Sequence, residues 1–440
     1  MFNIILGATA PEVLDLINYV MAIILTVLYF MQNLHLVVAI FTPHKKFKKA
    51  KVEHKYGYLI AARNESTVIG NLIDSIYSQD YPKDKMQVFV VADNCTDNTA
   101  DIAREHGAIV YERFNDKLKG KSFALDYLIK NVLELEEYKD IEAFFVFDAD
   151  NLVTKSYTSK MNQVYDKGIK VATSFRDSKN FTSSLAAGCS SIMFYRECLI
   201  IHHSRQLLGI GTFVSGTGYY VDRSIFEKMG GWQFNTLTED IEFSCYCAKN
   251  KIKIGFNQEA IFYDEQPNSM HAADKQRFRW CKGTHQCAAK YCGPLIGAAL
   301  SPKKRSLANR LSCFEMFVHV FPAPIIATTW AILYIILHAI FFATGLETLE
   351  FFKSKALSFF VWELITIFLL ALIHSIIAAL KYWTHIPGKW YQKVRAVVVF
   401  PFFAAMYLPL SYKALFTRDV RWDPIAHTEG KTIEDLEGKK

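Results

Sequence analysis

Asp148 and Asp150 stand one residue apart where the apolar run AFFVF (143–147) ends. Alternation along an extended strand puts both side chains on the same side. Two carboxylates pointing the same way repel one another. A hard divalent cation with oxygen ligands, completed by substrate phosphates, relieves that repulsion; two solvated loop acids or helix N-caps fit the spacing equally. A second acid, Asp93, closes MQVFVVAD and is followed by Asn94, Thr96 and Asp97. In LTEDIEFS, Thr238 suits a helix N-cap, with Glu239 and Asp240 in the first turn. That accounts for Glu239 and leaves Asp240 free to face a pocket as a general base. Finally, KQRFRW (275–280) packs three cations and two aromatics into six residues beside a strongly apolar region. Arg and Trp are common at membrane interfaces, so that segment alone also reads as an anchor. The fixed order of the three acidic sites and this segment carries more than any one of them.

The elements around these residues give the order a meaning. β-rich runs at 56–62, 86–93, 108–114, 143–150 and 169–175 alternate with helical stretches at 66–78, 97–106, 121–133 and 157–166. Strands alternating with helices of this length predict an α/β domain built on a doubly wound, mostly parallel sheet. In such sheets the ligand lies beyond the carboxyl ends of the strands, which is where Asp93, Asp148 and Asp150 fall.

The flanks are of another kind. The 440-residue chain is 51% hydrophobic and 14% aromatic, with a mean hydropathy of +0.10. That balance predicts a polar domain fused to a few membrane spans. Residues 13–41 carry one acid and no Lys or Arg, enough for a long or tilted span. Further spans are expected at 323–344, 357–380 and 395–412, with Pro322, Pro324, Pro401 and Pro409 marking kinks, breaks or interfacial turns. The clusters HKKFKKAK (44–51) and SPKKR (301–305) read as positive-inside anchors. No recognition motif accompanies the net charge of +7, so nucleic acid is excluded as a partner. The N-terminus is expected outside and the domain from Lys45 onward in the cytoplasm. The basic, aromatic stretch 381–395 belongs at the cytoplasmic face, and 285–320 suits an interfacial amphipathic helix. Three full C-terminal crossings would put the tail after Arg418 outside; a re-entrant pass would keep it inside. The nine cysteines include no C-x-x-C pair and are expected as reduced, buried thiols. Cys281, His285, Cys287 and Cys292 match no standard zinc frame. His202 and His203 are expected at surface or interface positions, and YDEQP (263–267) either lines a substrate path or forms a capped turn.

The motifs AARNE (61–65), ADNCTD (92–97), DAD (148–150), GTG (216–218), TED (238–240) and QRFRW (276–280), in that order, resemble those of membrane-embedded family 2 glycosyltransferases. That group includes the cellulose, chitin, hyaluronan and poly-N-acetylglucosamine synthases, and the likeness runs from about Ala61 to Trp280. It implies a GT-A (Rossmann-like) domain, a UDP-sugar donor (UDP-glucose or UDP-N-acetylglucosamine), Mg2+ or Mn2+, and inversion at the anomeric carbon. By the same resemblance Arg63, Glu65 and Asp93 hold uracil and ribose, and Lys121 lies near the diphosphate. Asp148 contacts UDP and shares the metal with Asp150. Asp240, beside Glu239, is the catalytic base. Gly216, Thr217 and Gly218 contact substrate, and Gln276, Arg279 and Trp280 mark processive members. Two departures stand out: Arg63 occupies a place usually held by an aromatic, and SGTGYY (215–220) differs from several polymer synthases.

The expected organisation is an N-terminal transmembrane helix (1–44), the catalytic domain (45–285), interfacial helices (286–320), C-terminal transmembrane helices (321–416) and a polar tail (417–440). The function implied is processive elongation of a β-linked polysaccharide and its extrusion across the plasma membrane. Its runner-up is a non-processive enzyme adding one or a few sugars to a lipid acceptor. Expected partners are the donor, a growing polysaccharide or glycolipid, membrane lipids, and an accessory subunit or second copy of the chain. A transporter or nucleotide-sugar sensor is disfavoured by the few spans, the lack of an intramembrane charge relay and the full acid set.

Overall fold

The structure is a computed structural model that describes residues 9–418 and 429–438. Part of the expected tail, 419–428 and 439–440, and residues 1–8 lie outside the described residues.

Eight strands form one sheet: β1 (Tyr56–Ala62), β2 (Met86–Asp93), β3 (Ile109–Arg113), β4 (Ala143–Asp148), β5 (Leu152–Val153), β6 (Val171–Ser178), β7 (Tyr219–Asp222) and β8 (Ile254–Asp264), in spatial order 3-2-1-4-7-6-8-5. Pairing is parallel through β3-β2-β1-β4 and again between β6 and β8. β7 runs antiparallel between β4 and β6, and β5 antiparallel on β8. The central strands are near-continuous apolar runs because both faces are covered. Tyr58, Ile60, Phe145 and Phe147 face α2 (Ile69–Tyr77), while Leu59, Phe144 and Val146 face the other way, onto α4 (Lys121–Glu134).

Register aligns the ends that matter. Ala61 lies opposite Asp148, and Ala62 opposite Ala92, the residue before Asp93. The loop 63–65 and the acids ending β2 and β4 therefore leave the sheet along one edge. Across the β4–β7 junction Gly218 has φ +68°, and a Cβ there would come within 2.2 Å of the Phe262 ring, so only glycine fits.

The helical part differs from expectation at the two adjacent histidines and at the 285/286 division. α6 (Leu185–Arg196) runs on through a π-helical turn (Glu197–His203) into a last helical piece (Ser204–Leu208). His202 and His203 lie inside that turn, each 2% exposed, so neither is at the surface. α9 (Met270–Ala299), N-capped by Ser269, is a single 30-residue helix, so the expected division at 285/286 falls within it.

Among the described residues, four helices are long and apolar enough to cross a membrane: Ala10–Phe41, Ala323–Ala343, Leu349–Lys381 and Trp390–Phe416. The last is bent at Met406, between Trp390–Ala405 and Tyr407–Phe416. Pro409 cannot donate to the carbonyl four residues back, which suits a break there. Its two ends both reach the α/β domain. Just ahead of it, Tyr382 packs on Phe175 with ring centroids 4.9 Å apart; at its far end Lys282 Nζ donates to Thr417 O at 2.6 Å. The described tail also returns to the domain: Ile433 is buried against Leu152 and Tyr263, and Lys431 Nζ donates to Lys179 O at 3.1 Å. All nine cysteines are free. Cys281, His285 and Cys287 turn to separate partners, Tyr407, Ser411 and Thr236.

Candidate active site

One cavity of about 690 Å³ opens along the sheet edge. Arg63, Glu65, Asp93, Lys121, Asp148, Asp150, Gly216, Glu239, Asp240, Gln276, Arg279 and Trp280 all line it. Thr217 and Gly218 do not; they sit behind it. The Asp148 amide donates to Thr217 Oγ1 at 2.9 Å, and the Thr217 hydroxyl donates to Asn151, so Thr217 braces the turn that presents the acids.

Lys121 opens α4 at the floor of the cavity, bonding Asp148 and donating to Gly216 O at 2.8 Å. Burial pulls its pKa down, but the charges of Asp148, Glu239 and Asp240 outweigh burial and hold the ammonium above its usual value. Asp93 is engaged too: Arg113 and Asn94 both donate to its Oδ1.

Glu239 and Asp240 begin α8 (Glu239–Lys249), where the helix N-terminus would favour their charge. Burial wins. It raises both carboxyls, with repulsion from Asp240 adding to Glu239, which is pushed up to about 7. Lys121 and Arg279 act in the opposite sense on both groups.

On α9, Gln276, Arg279 and Trp280 fall at i, i+3 and i+4 and so share a face. The Trp280 ring meets Phe194 edge-on at 6.1 Å, and the Arg176 guanidinium lies over the same Phe194 ring, 4.1 Å from its centroid.

Sequence reasoning missed Arg176, Glu197 and Tyr407, all of which line the cavity. Arg176 bonds Ser215 O and lies 3.8 Å from Asp264 Oδ2. Its signal was available, a cation placed directly after the strand run VATSF (171–175). The YDEQP segment contributes Asp264 and Glu265 to the lining, so it belongs to the cavity wall. Asp264 is raised to about 6, by burial first and by the charges of Asp150 and Asp148 in addition, against the pull of Arg176.

Residues 54–283 match the family described as Glycosyltransferase like family 2. This chain belongs to that family. As a family 2 glycosyltransferase it is 28% identical over 261 residues to the beta-monoglucosyldiacylglycerol synthase of a Nostoc species, covering 56% of this chain and 52% of that protein. It is 24% identical over 290 residues to the poly-beta-1,6-N-acetyl-D-glucosamine synthase of Staphylococcus epidermidis, covering 64% of this chain and 67% of that one. The chain thus spans about half the length of the Nostoc protein. Among solved structures it is similar to the mannosyltransferase PcManGT from Pyrobaculum calidifontis in complex with GDP-Man and Mn2+, at 16% identity and a TM-score of 0.52, over 83% of this chain and 98% of that one. At that identity the likeness speaks for the fold, which is GT-A.

Proposed function

We propose that this glycosyltransferase moves a sugar from a UDP-sugar, UDP-glucose or UDP-N-acetylglucosamine, onto the end of a growing β-linked polysaccharide, with inversion, and passes the product into the membrane segment. The observation that carries this reading is one shared cavity: Lys121, Asp148, Asp240 and Trp280 wall it, and Tyr407 from the Trp390–Phe416 segment lines it as well. Asp240 takes the proton of the attacking hydroxyl. Lys121 and Arg279 offset the charge gathering on the departing diphosphate. Trp280 offers an apolar face to the acceptor ring. Arg63, Glu65 and Asp93 border the nucleotide end, with Asp93 held by Arg113.

The acids also suit a divalent cation. Asp148 and Asp150 both line the cavity and bring hard oxygen donors to it. Among the described residues no three such side chains form a complete cage. Two carboxylates with diphosphate oxygens are the usual complement for Mg2+ or Mn2+, and Asp150 with Asp148 would supply the pair. When bound, the ion neutralises diphosphate charge.

Purified protein in lipid, given each UDP-sugar and Mg2+ or Mn2+, is expected to make a glycosidase-sensitive polymer, and chelation is expected to stop synthesis. The Nostoc relative points to a second reading. A single-sugar glycolipid as the only product would establish that one and defeat polymerisation.

The returning tail bears on topology. A chain that leaves the domain after Val320 and is back on it at Tyr382 has crossed twice, by Ala323–Ala343 and Leu349–Lys381. Trp390–Phe416, touching the domain at both ends, then lies against the cytoplasmic face, and the tail stays inside. An epitope appended after Lys440 is expected to be reached by antibody in inside-out vesicles and to be protected in intact cells; the reverse pattern makes Trp390–Phe416 a crossing helix.

A further inference from the structure

One carboxylate in the cavity has no part in the chemistry described so far. Glu197 lines the same cavity as Asp240 and keeps 20% side-chain exposure. It opens the π-helical turn of α6, and the wider turn brings it against the side chain five residues on, His202. His202 Nε2 lies 3.2 Å from Glu197 Oε1, and its Nδ1 lies 2.6 Å from Thr212 Oγ1. The imidazole is itself buried between Phe213 and Phe256, at centroid distances of 4.9 and 5.3 Å. With both ring nitrogens engaged and two aromatic rings packed against it, His202 is held in place, and it fixes the carboxylate.

The surroundings select what Glu197 can bind. Burial alone would neutralise it, yet His202 and Arg176 hold its carboxyl below the usual range, so it faces the cavity ionised. An ionised carboxylate repels a diphosphate, and the nucleotide end already has Lys121 and Arg279 for that charge. A lipid tail gives a carboxylate nothing to accept. The wall beside Glu197 is formed by Phe194, Phe213, Trp280 and Tyr407, with His319 packed on Phe213 at 4.5 Å. A fixed hydroxyl acceptor flanked by aromatic rings is the complement of a pyranose, which offers donor hydroxyls at its edge and C–H groups on its faces.

We infer that Glu197, fixed by His202 across the π-helical turn, forms the hydroxyl-binding group of an acceptor subsite, and that its occupant is the terminal sugar ring of the acceptor. This rests on the polysaccharide reading above. Glu197 binds substrate; His202 is a positioning residue.

The test uses the full-length protein in lipid, a β-linked trisaccharide of the donor sugar as acceptor, and hydrolysis of the UDP-sugar by water as an internal control. Glu197→Gln is expected to raise the acceptor KM about tenfold, the loss expected for a hydrogen bond to a charged group, while donor hydrolysis and the donor KM stay at wild-type values. His202→Gln, which keeps a donor but loses the rigid ring, is expected to raise the acceptor KM by a smaller factor with the donor values again unmoved. If either variant fails to fold, the other decides. Acceptor KM unchanged in a folded variant, or donor hydrolysis lost together with transfer, overturns the inference alone. A wild-type enzyme that ignores the trisaccharide but glucosylates diacylglycerol vesicles overturns the polysaccharide reading and this subsite with it.

Discussion

Asp240→Asn is expected to lower turnover by about 10²–10⁴-fold, the range for loss of a positioned general base, with UDP still bound. Asparagine keeps the shape and the helix-terminal position but cannot take a proton from the attacking hydroxyl. The same carboxyl sets the pH dependence. Asp240 is raised by burial and Glu239 is pushed up to about 7, so this pair begins to take up protons nearer neutrality than ordinary carboxylates do. A base works only when deprotonated, and burial raises Asp240 above the ordinary carboxylate range, so turnover is expected to fall as pH drops through the acid range and the limb to lie at higher pH than for an exposed carboxylate. A profile of kcat against pH at saturating donor checks the limb, and the Asn variant is expected to lose it. Wild-type turnover in Asp240→Asn would remove this residue from the role of base.

Much of this site could be read from sequence because parallel strands covered on both faces announce themselves. β4 is an unbroken apolar run and β2 is interrupted only by Gln87, and each ends at the acid that leaves the sheet. β7 and β8 were not foreseen, for reasons the structure makes plain. β7 has four residues and is entered through the glycine turn 216–218, while β8 carries Asn257, Gln258 and Glu259 in its middle, where its register on β6 shifts between Ser174 and Phe175. Arg176 lies just past that shift, so its approach to Asp264 depends on a pairing between strands about 80 residues apart that no local pattern encodes. The π-helical turn is equally silent, since Glu197 and His202 at five-residue spacing match no helical periodicity. At 285 the composition changes but nothing ends the helix, so α9 runs on. The tail's return rests on Ile433, buried in a mostly polar segment, and on hydrogen bonds such as that from Lys431 to Lys179 O, neither of which a local pattern announces.

Replacing Glu315 by Leu is expected to destabilise the protein by about 3–5 kcal/mol, the cost of leaving one partner of a buried ion pair behind. Glu315 stands on α10 (Leu307–Val320), 3% exposed, with Arg205 Nη2 at 2.7 Å and His35 Nε2 at 3.0 Å. Burial favours its neutral form, but Arg205 and His35 outweigh burial and hold the carboxyl down at about 2. With the folded value depressed, the stabilisation is complete above the unfolded carboxylate range and is lost only as pH falls toward about 2, so at neutral pH the full effect is read. Arg205 Nε and Nη1 have no other hydrogen-bond partner among the described residues, so Leu at 315 strands a buried guanidinium. The three residues come from Ala10–Phe41, from α10 and from the helical piece after the π turn; their loss therefore loosens the first membrane helix from the catalytic domain as well as the local packing. Thermal unfolding in detergent, with the accessibility of the 42–55 linker to protease, follows both. Two alternatives separate here. If the loss comes from an uncompensated charge, adding Arg205→Met to Glu315→Leu recovers most of the stability, because a well-packed apolar pair costs little in place of a buried ion pair. If the double variant melts no higher than Glu315→Leu, the ion pair is not what joins the helix to the domain.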